Sequence, residues 1–185
     1  VTHHWSTHEN KGFEIYSYLD ELLNDVKFSD KIDFTFVGNL PKNFKFKNTK
    51  YIEPKNGLQL ADLIKIHDVY LTASINEPGG NHQNEGLNCG LPILYLNSGC
   101  MSEYCKGYGL AYSKDTLKEK IFEIHSQYIN LRENLKNYPY NSDFMGRKYE
   151  ELFENLIDNR NEIIKNRKVQ KTNFLSKLLY KFNLS

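Results

Sequence analysis

No stretch of this chain approaches the roughly 18 consecutive apolar residues that a membrane span needs, so it reads as soluble. Cysteine is scarce: Cys89, Cys100 and Cys105 are odd in number and form no C-x-x-C pair. That excludes a disulfide framework and points to a reducing cytosol, with the thiols serving as small buried hydrophobes. The opening Val1-Thr2-His3-His4 lacks the charged region and apolar run of a signal peptide. It also lacks a methionine and reads as the start of a strand, so the expectation is a fragment whose missing part lies upstream. There is no internal repeat. Nor is there an excess of one charge: the net charge is +1. Residues 165–185 carry six basic side chains and no acid, which leaves 18 basic and 23 acidic side chains in the rest. A mildly acidic body argues against a general nucleic-acid surface, and the basic tail stands apart from it.

What is present is the alternation of an α/β domain. Hydrophobic residues make up 39% and charged residues 25%, ordinary for a globular protein. Ile32–Val37, Asp68–Ser74 and Pro92–Leu96 are apolar runs ended by turn or loop residues, and Tyr51-Ile52 is a shorter strand candidate. Helical stretches are expected over about 11–26, 57–66, 81–90, 114–137 and 142–165. In the first, Ile15, Tyr18, Leu19, Leu22 and Leu23 form one apolar stripe. The pattern predicts a Rossmann-like parallel sheet flanked by helices, with a C-terminal helical extension. The lysine–aromatic alternation of Pro41–Lys47 reads as surface loop or edge strand rather than a nucleic-acid site.

In an open parallel sheet, ligands bind beyond the carboxyl ends of the strands. One such loop runs Thr2 to Gly12 and closes on Lys11-Gly12, where the lysine and backbone amides could hold a diphosphate. A second runs Ser74 to Pro92. It breaks at Pro78-Gly79-Gly80, whose glycines would let a ligand approach the backbone, and enters a short helix after Asn81. Glu77 stands in that loop, and Glu85 leans back toward the crevice from the helix. Two carboxylates there suit hydroxyl-rich ligands, since an ionised carboxylate only accepts hydrogen bonds.

Glu77 and Glu85 form an E-x7-E motif that continues as Glu85-Gly86-Leu87-x-Cys89-Gly90-Leu91-Pro92-Ile93. Lys11-Gly12 precedes it, followed in order by Val37-Gly38, by Leu60 to Ala73 with Ser74, and after the motif by Gly99-x-x-x-Glu103. This ordered set resembles the donor site of family-4 retaining glycosyltransferases, which have the two-Rossmann-domain GT-B architecture. The resemblance implies that Glu85 binds the ribose hydroxyls of a nucleotide-diphospho-sugar and that Glu77 serves the transferring sugar or reaction centre as the catalytic residue. It assigns Lys11 to the diphosphate and Gly79, Gly80 and Asn81 to the donor hexose and phosphates. It also implies retaining transfer with no metal and no cofactor, because lysine and helix dipoles stabilise the departing diphosphate. The chain departs from the family at Ser6, where an arginine is usual, and at Gly79, where an aromatic is common. His4, His8 or the loop backbone could substitute for that arginine, and His82 is the remaining histidine near the donor.

Other readings stay open. His3, His4, His8 and Glu9 invite zinc, but an i, i+4 pair unites ligands on a helix and this stretch reads as strand and loop. Trp5 reads as a packing residue more readily than as a stacking platform. Residues 1–141 are expected to form the donor-binding domain. Residues 142–165 form a helix contacting that body or the absent N-terminal domain, and 166–185 a basic amphipathic tail. The tail either packs on protein or makes peripheral contact with anionic lipid at the inner face of a membrane, the chain being otherwise cytoplasmic. The acceptor is an unknown glycan, lipid or protein. Alternatives to the transferase are a noncatalytic donor-like partner subunit and a nucleotide-sugar epimerase of the same architecture.

Overall fold

A computed structural model describes residues 1–167. Val1–Asn141 form one compact unit, and a second begins at Ser142. In the first, β1 (Thr2–His4), β2 (Thr35–Gly38) and β3 (Lys50–Ile52) make a parallel sheet in the order β1-β2-β3. A second parallel sheet contains β4 (Tyr70–Thr72), β5 (Ile93–Leu96) and β6 (Gly109–Tyr112). The two meet at β1 and β4, where the Val1 nitrogen donates to the Val69 carbonyl and the Leu71 N–H donates to the Val1 carbonyl, both at 2.9 Å. The strands therefore succeed one another as β3-β2-β1-β4-β5-β6. The strand order reverses between β1 and β4, the place where a doubly wound sheet opens a crevice.

The intervening helices are α1 (Phe13–Leu22), α2 (Val26–Ser29), α3 (Gly57–Lys65), α4 (His82–Asn88), α5 (Met101–Cys105) and α6 (Leu117–Leu135). Strand side chains alternate between faces, and the core divides accordingly. Phe34, Phe36, Leu71, Ala73 and Leu94 pack with Phe13, Ile15, Tyr16 and Leu19 of α1. Val37, Tyr70, Ile93 and Tyr95 pack with Leu60 and Ile64 of α3 and Leu87 of α4. Both faces are covered, as a parallel sheet requires.

The expected helix over 11–26 is two helices, because the chain turns through Leu23–Asp25 and the Asp25 carboxylate accepts the Lys27 N–H at 3.0 Å. Its buried face turns on Tyr16, which is fully buried, whereas Tyr18 is only partly so. Neither α5 nor β6 is among the expected elements. Both are short, and β6 is made a strand by pairing along β5, with Gly109 opposite Ile93. In the second unit, the single helix expected over 142–165 is broken into α7 (Ser142–Asp158) and α8 (Arg160–Asn166). The break falls at Asn159, whose side-chain Nδ2 donates to the Asn155 carbonyl at 3.0 Å beside the ordinary helical bond from its own N–H, so the two share one acceptor. No residue of α7 is buried, and Tyr149, Leu152, Phe153 and Leu156 are all exposed. The basic amphipathic tail expected over 166–185 lies, beyond Arg167, outside the described residues. No helix among the described residues is long and apolar enough to cross a membrane.

The Pro41–Lys47 segment is a loop, with Phe44 and Phe46 packed on the core and the lysines outward. Asp20 of α1 pins its far end. The buried carboxylate accepts the N–H groups of Lys47, Asn48 and Thr49 at 2.9, 2.9 and 2.7 Å. Burial alone would raise this carboxyl, but the bonds from Thr49, Lys47 and Asn48 outweigh it and hold the group below its ordinary 3.8. A depressed carboxyl contributes stability above its unfolded pKa and loses it as pH falls through the folded one. Asp20→Ala should therefore cost about 3 kcal/mol at neutral pH by urea denaturation, since the backbone donors lose their acceptor. The gap to the wild-type chain should narrow in acid.

Candidate functional site

The loops after β1 and β4 meet above the strand-order reversal. Gly12 lies in the left-handed region at φ 73°, and a Cβ there would stand 2.1 Å from the Ala73 carbonyl oxygen. Only glycine lets the start of α1 come this close to the end of β4. The Ile75 N–H donates to the Asn10 carbonyl at 2.7 Å and ties the loops together. Glu77 is held by its backbone: the Cys100 N–H donates to its carbonyl at 2.8 Å, and Gly99, at φ 59°, leaves no room for a Cβ against it. With both loops fixed, the Lys11 ammonium donates to Glu77 Oε2 at 2.5 Å, the two side chains being only 19% and 13% exposed. Removing either partner of so sheltered a pair leaves a charge uncompensated, whereas an arriving anion could share the three donors of the ammonium.

Glu85 is gripped from the strand beneath it. His3 is buried in β1, and its Nε2 meets Glu85 Oε2 at 2.6 Å, while the Glu85 side chain remains 49% exposed. The hydrogen bond from His3 holds the Glu85 carboxyl below its ordinary range, against the opposing effect of burial. An ionised carboxylate donates nothing, so Nε2 carries the proton. The other ring nitrogen, Nδ1, lies 3.0 Å from the hydroxyl of buried Tyr70 on β4. That hydroxyl also accepts the backbone N–H of His3 at 3.2 Å.

On the other face of β1, His4 Nε2 shares a hydrogen bond of 2.6 Å with the Tyr16 hydroxyl, which also accepts the Ala73 N–H at 3.0 Å. His82, in the first turn of α4, turns inward to Thr72 Oγ1 at 2.7 Å. The His4 and His82 rings stand 4.8 Å apart.

The structure thus brings Lys11 to Glu77, gathers His4 and His82 at the ends of β1 and β4, and gives Glu85 a partner in His3. It separates the rest. Ser6 is exposed, and its Oγ accepts the His8 N–H at 3.2 Å, so the hydroxyl serves its own loop. His8 Nδ1 accepts the Asn10 N–H and caps the turn Glu9–Lys11, on the surface and apart from buried His4. Asn81 precedes α4 with an exposed side chain that makes no capping bond. The paired glycines are not alike: a Cβ on Gly79 would meet open space, but on Gly80 it would strike Glu77 and Gln83. Gly80 is thus small to admit those side chains as well as any ligand. Trp5 is not a packing residue: it is 54% exposed, because its strand ends at His4 and its carbonyl is drawn to Asn39 Nδ2.

Tyr16, Tyr70 and Thr72 are absent from the sequence-based candidates, and so is Gln83, a fully buried residue whose Nε2 donates to the Gly80 carbonyl and whose Oε1 has no protein partner. One signal could have pointed to the first three. Thr2-His3-His4 is a wholly polar strand, and a buried polar strand requires partners from the elements covering it. No group of His, Cys, Asp and Glu among the described residues is arranged to hold a metal ion. A cavity of about 550 Å³ lies elsewhere, between the end of α4 and the last turns of α6 from Tyr128 to Leu135, and none of the crevice residues lines it.

Burial depresses both histidines, most of all by desolvation. His82 falls to about 3 and His4 well below its ordinary 6.5, each pushed further by a neighbouring histidine and by Lys11. Both are therefore neutral in the fold at neutral pH, while the unfolded chain takes up protons below about 6.5. The unfolded state then binds more protons, so stability falls as pH drops from 6.5 toward 3. His82→Gln should remove one proton from this dependence and flatten the stability curve between pH 6 and 4 by about 1.4 kcal/mol per pH unit, measured by denaturant titration at each pH.

No protein-family model and no curated protein sequence matches the chain. Solved structures do. Sucrose-phosphate synthase from Thermosynechococcus elongatus superposes with a TM-score of 0.60 at 17% identity, over 82% of this chain and 45% of that one. The pneumococcal O-GlcNAc transferase GtfA, in complex with UDP and GlcNAc, gives 0.62 at 15%, over 82% and 34%. The GtfA/B complex gives 0.63 at 14%, over 84% and 36%. The chain spans less than half the length of each. At these identities the likeness is one of fold: the chain has the Rossmann-like α/β fold of one domain of the GT-B glycosyltransferases.

Proposed function

We propose that this chain is the donor-binding domain of a retaining, metal-independent glycosyltransferase, and that it binds a nucleotide-diphospho-sugar in the crevice between β1 and β4. The observation that carries the reading is the convergence there of the sheltered Lys11–Glu77 pair with the His3-held Glu85, on a fold whose relatives include a transferase solved with UDP and GlcNAc. The half-exposed Glu85 carboxylate takes the ribose hydroxyls. Lys11 meets the diphosphate, with neutral His4 and His82 beneath it in place of the arginine that Ser6 replaces. Glu77 attends the sugar from a backbone held by Gly99 and Cys100, next to Gly79, Gly80 and Asn81. As negative charge grows on the departing diphosphate, the Lys11 ammonium leaves Glu77 in part and follows it. The acceptor belongs to residues outside this chain, so the chain alone binds donor without transferring it.

A second reading, that of a noncatalytic partner subunit, is favoured by Ser6, whose hydroxyl is spent on its own loop. One of the solved structures that share this fold, GtfA/B, is itself a complex. The two readings share the donor site and part over turnover by the full-length protein.

Isothermal titration with UDP, GDP and ADP should reveal binding of at least one. Lys11→Ala should weaken it about tenfold or more through loss of a charge-assisted bond. No binding of any nucleoside diphosphate or its sugar conjugate would sink the proposal. Sugar transfer by this chain alone would refute its assignment as the donor half.

A further inference from the structure

We propose that His3 is a positioning residue for Glu85: it fixes the carboxylate so that the site distinguishes ribose from 2′-deoxyribose. The inference rests on the donor-site reading of Glu85. Three elements converge to build the device. β1 supplies His3, β4 supplies Tyr70 and α4 supplies Glu85, the last separated from His3 by 82 residues of sequence. A glutamate half exposed on a seven-residue helix would ordinarily sample several rotamers in water. Here one carboxylate oxygen is anchored to an imidazole that is itself only 4% exposed. The imidazole cannot turn away, because Tyr70 occupies its other nitrogen at 3.0 Å and also accepts its backbone N–H.

The directions of these bonds form one consistent chain. The Tyr70 O–H donates to His3 Nδ1, and His3 Nε2–H donates to Glu85 Oε2. The bond to His3 favours the ionised carboxylate, so its exposed part is a pure acceptor aimed from a fixed direction. Two adjacent ribose hydroxyls can both donate to such a group. A 2′-deoxyribose offers one donor fewer and leaves an acceptor unmet. The alternative, that Glu85 merely satisfies a buried histidine, would make His3 matter to stability and not to this discrimination.

The test is the ratio of affinities of the full chain for UDP, GDP and ADP against their 2′-deoxy counterparts, by isothermal titration. The wild-type chain should prefer the ribonucleotide by about tenfold, and Glu85→Ala should abolish the preference. His3→Ala should reduce the ratio to within about twofold, the affinity for the ribonucleotide falling more than that for the 2′-deoxynucleotide. His3→Gln, whose amide N–H can stand in for Nε2–H, should restore most of it. If His3→Ala does not fold, His3→Asn carries the test: its amide can still face Tyr70 but is too short to reach Glu85, so the ratio should again fall. A ratio that survives in a folded His3→Ala or His3→Asn but collapses in Glu85→Ala would overturn the role of His3 and leave the donor site standing. A wild-type chain with no ribose preference would overturn the role of Glu85 and that of His3 with it. Failure to bind any nucleotide would end the donor-site reading as well.

Discussion

The hydroxyl of Tyr16 is the point on which the arrangement of the crevice depends. It is fully buried under the junction of β1 and β4, and it bonds to Thr2 and His4 of one strand and to the Ala73 N–H at the end of the other. A hydroxyl in such a place must be satisfied, because an unpaired buried polar group costs a few kcal/mol. Meeting that demand joins α1, β1 and β4 where the strand order reverses. Burial pushes the phenol well above its ordinary range, so it stays a neutral donor and acceptor at any pH the fold survives. His4, desolvated against it, is held neutral by the same burial.

The candidate site in the first unit is arranged around this junction by two further constraints. One is close backbone approach. Gly12 against Ala73 and Gly99 against Glu77 fix the two loops, so that Lys11 and Glu77 can pair without either main chain having to move. The other is the period of the strand. Thr2 and His4 face α1, and His3, between them, faces α4. A register slip of one residue would turn His3 away from Glu85 and present His4 to the wrong layer. The polar strand is thus a set of alternating contacts, Thr2 and His4 to Tyr16 on one face of the sheet and His3 to Glu85 on the other.

Much of this was legible in the sequence, where pattern is local. The runs Ile32–Val37, Asp68–Ser74 and Pro92–Leu96 contain β2, β4 and β5, since apolar β-formers bounded by turn residues leave little choice. The α3 and α6 stretches were legible for the same reason, through helical spacing. α5 and β6 were not, because five- and four-residue elements carry too little periodicity and β6 exists by pairing with β5. The stripe on α1 was read one residue off its centre: Tyr18 looked apolar-facing, while Tyr16 lies at the heart of the core. Composition cannot distinguish two tyrosines separated by little more than half a helical turn. The break at Asn159 is not legible in the sequence, because asparagine is tolerated within helices and the bond from its side chain to the Asn155 carbonyl exists only in the fold.

The segment from Glu77 to Pro92 shows the same division. By itself the sequence determined the fold class, the loop–helix–strand order of that segment, and the presence of two acids, a Gly79-Gly80 pair and a preceding lysine. Which groups those residues meet was decided only by the tertiary structure. Lys11 lies 66 residues from Glu77 and His3 lies 82 residues from Glu85, and each pair closes through the register of strands that neither residue specifies. Periodicity records which face a side chain takes. A hydrogen bond between distant segments depends on where sheet twist, a glycine's missing Cβ and a buried hydroxyl bring those faces together.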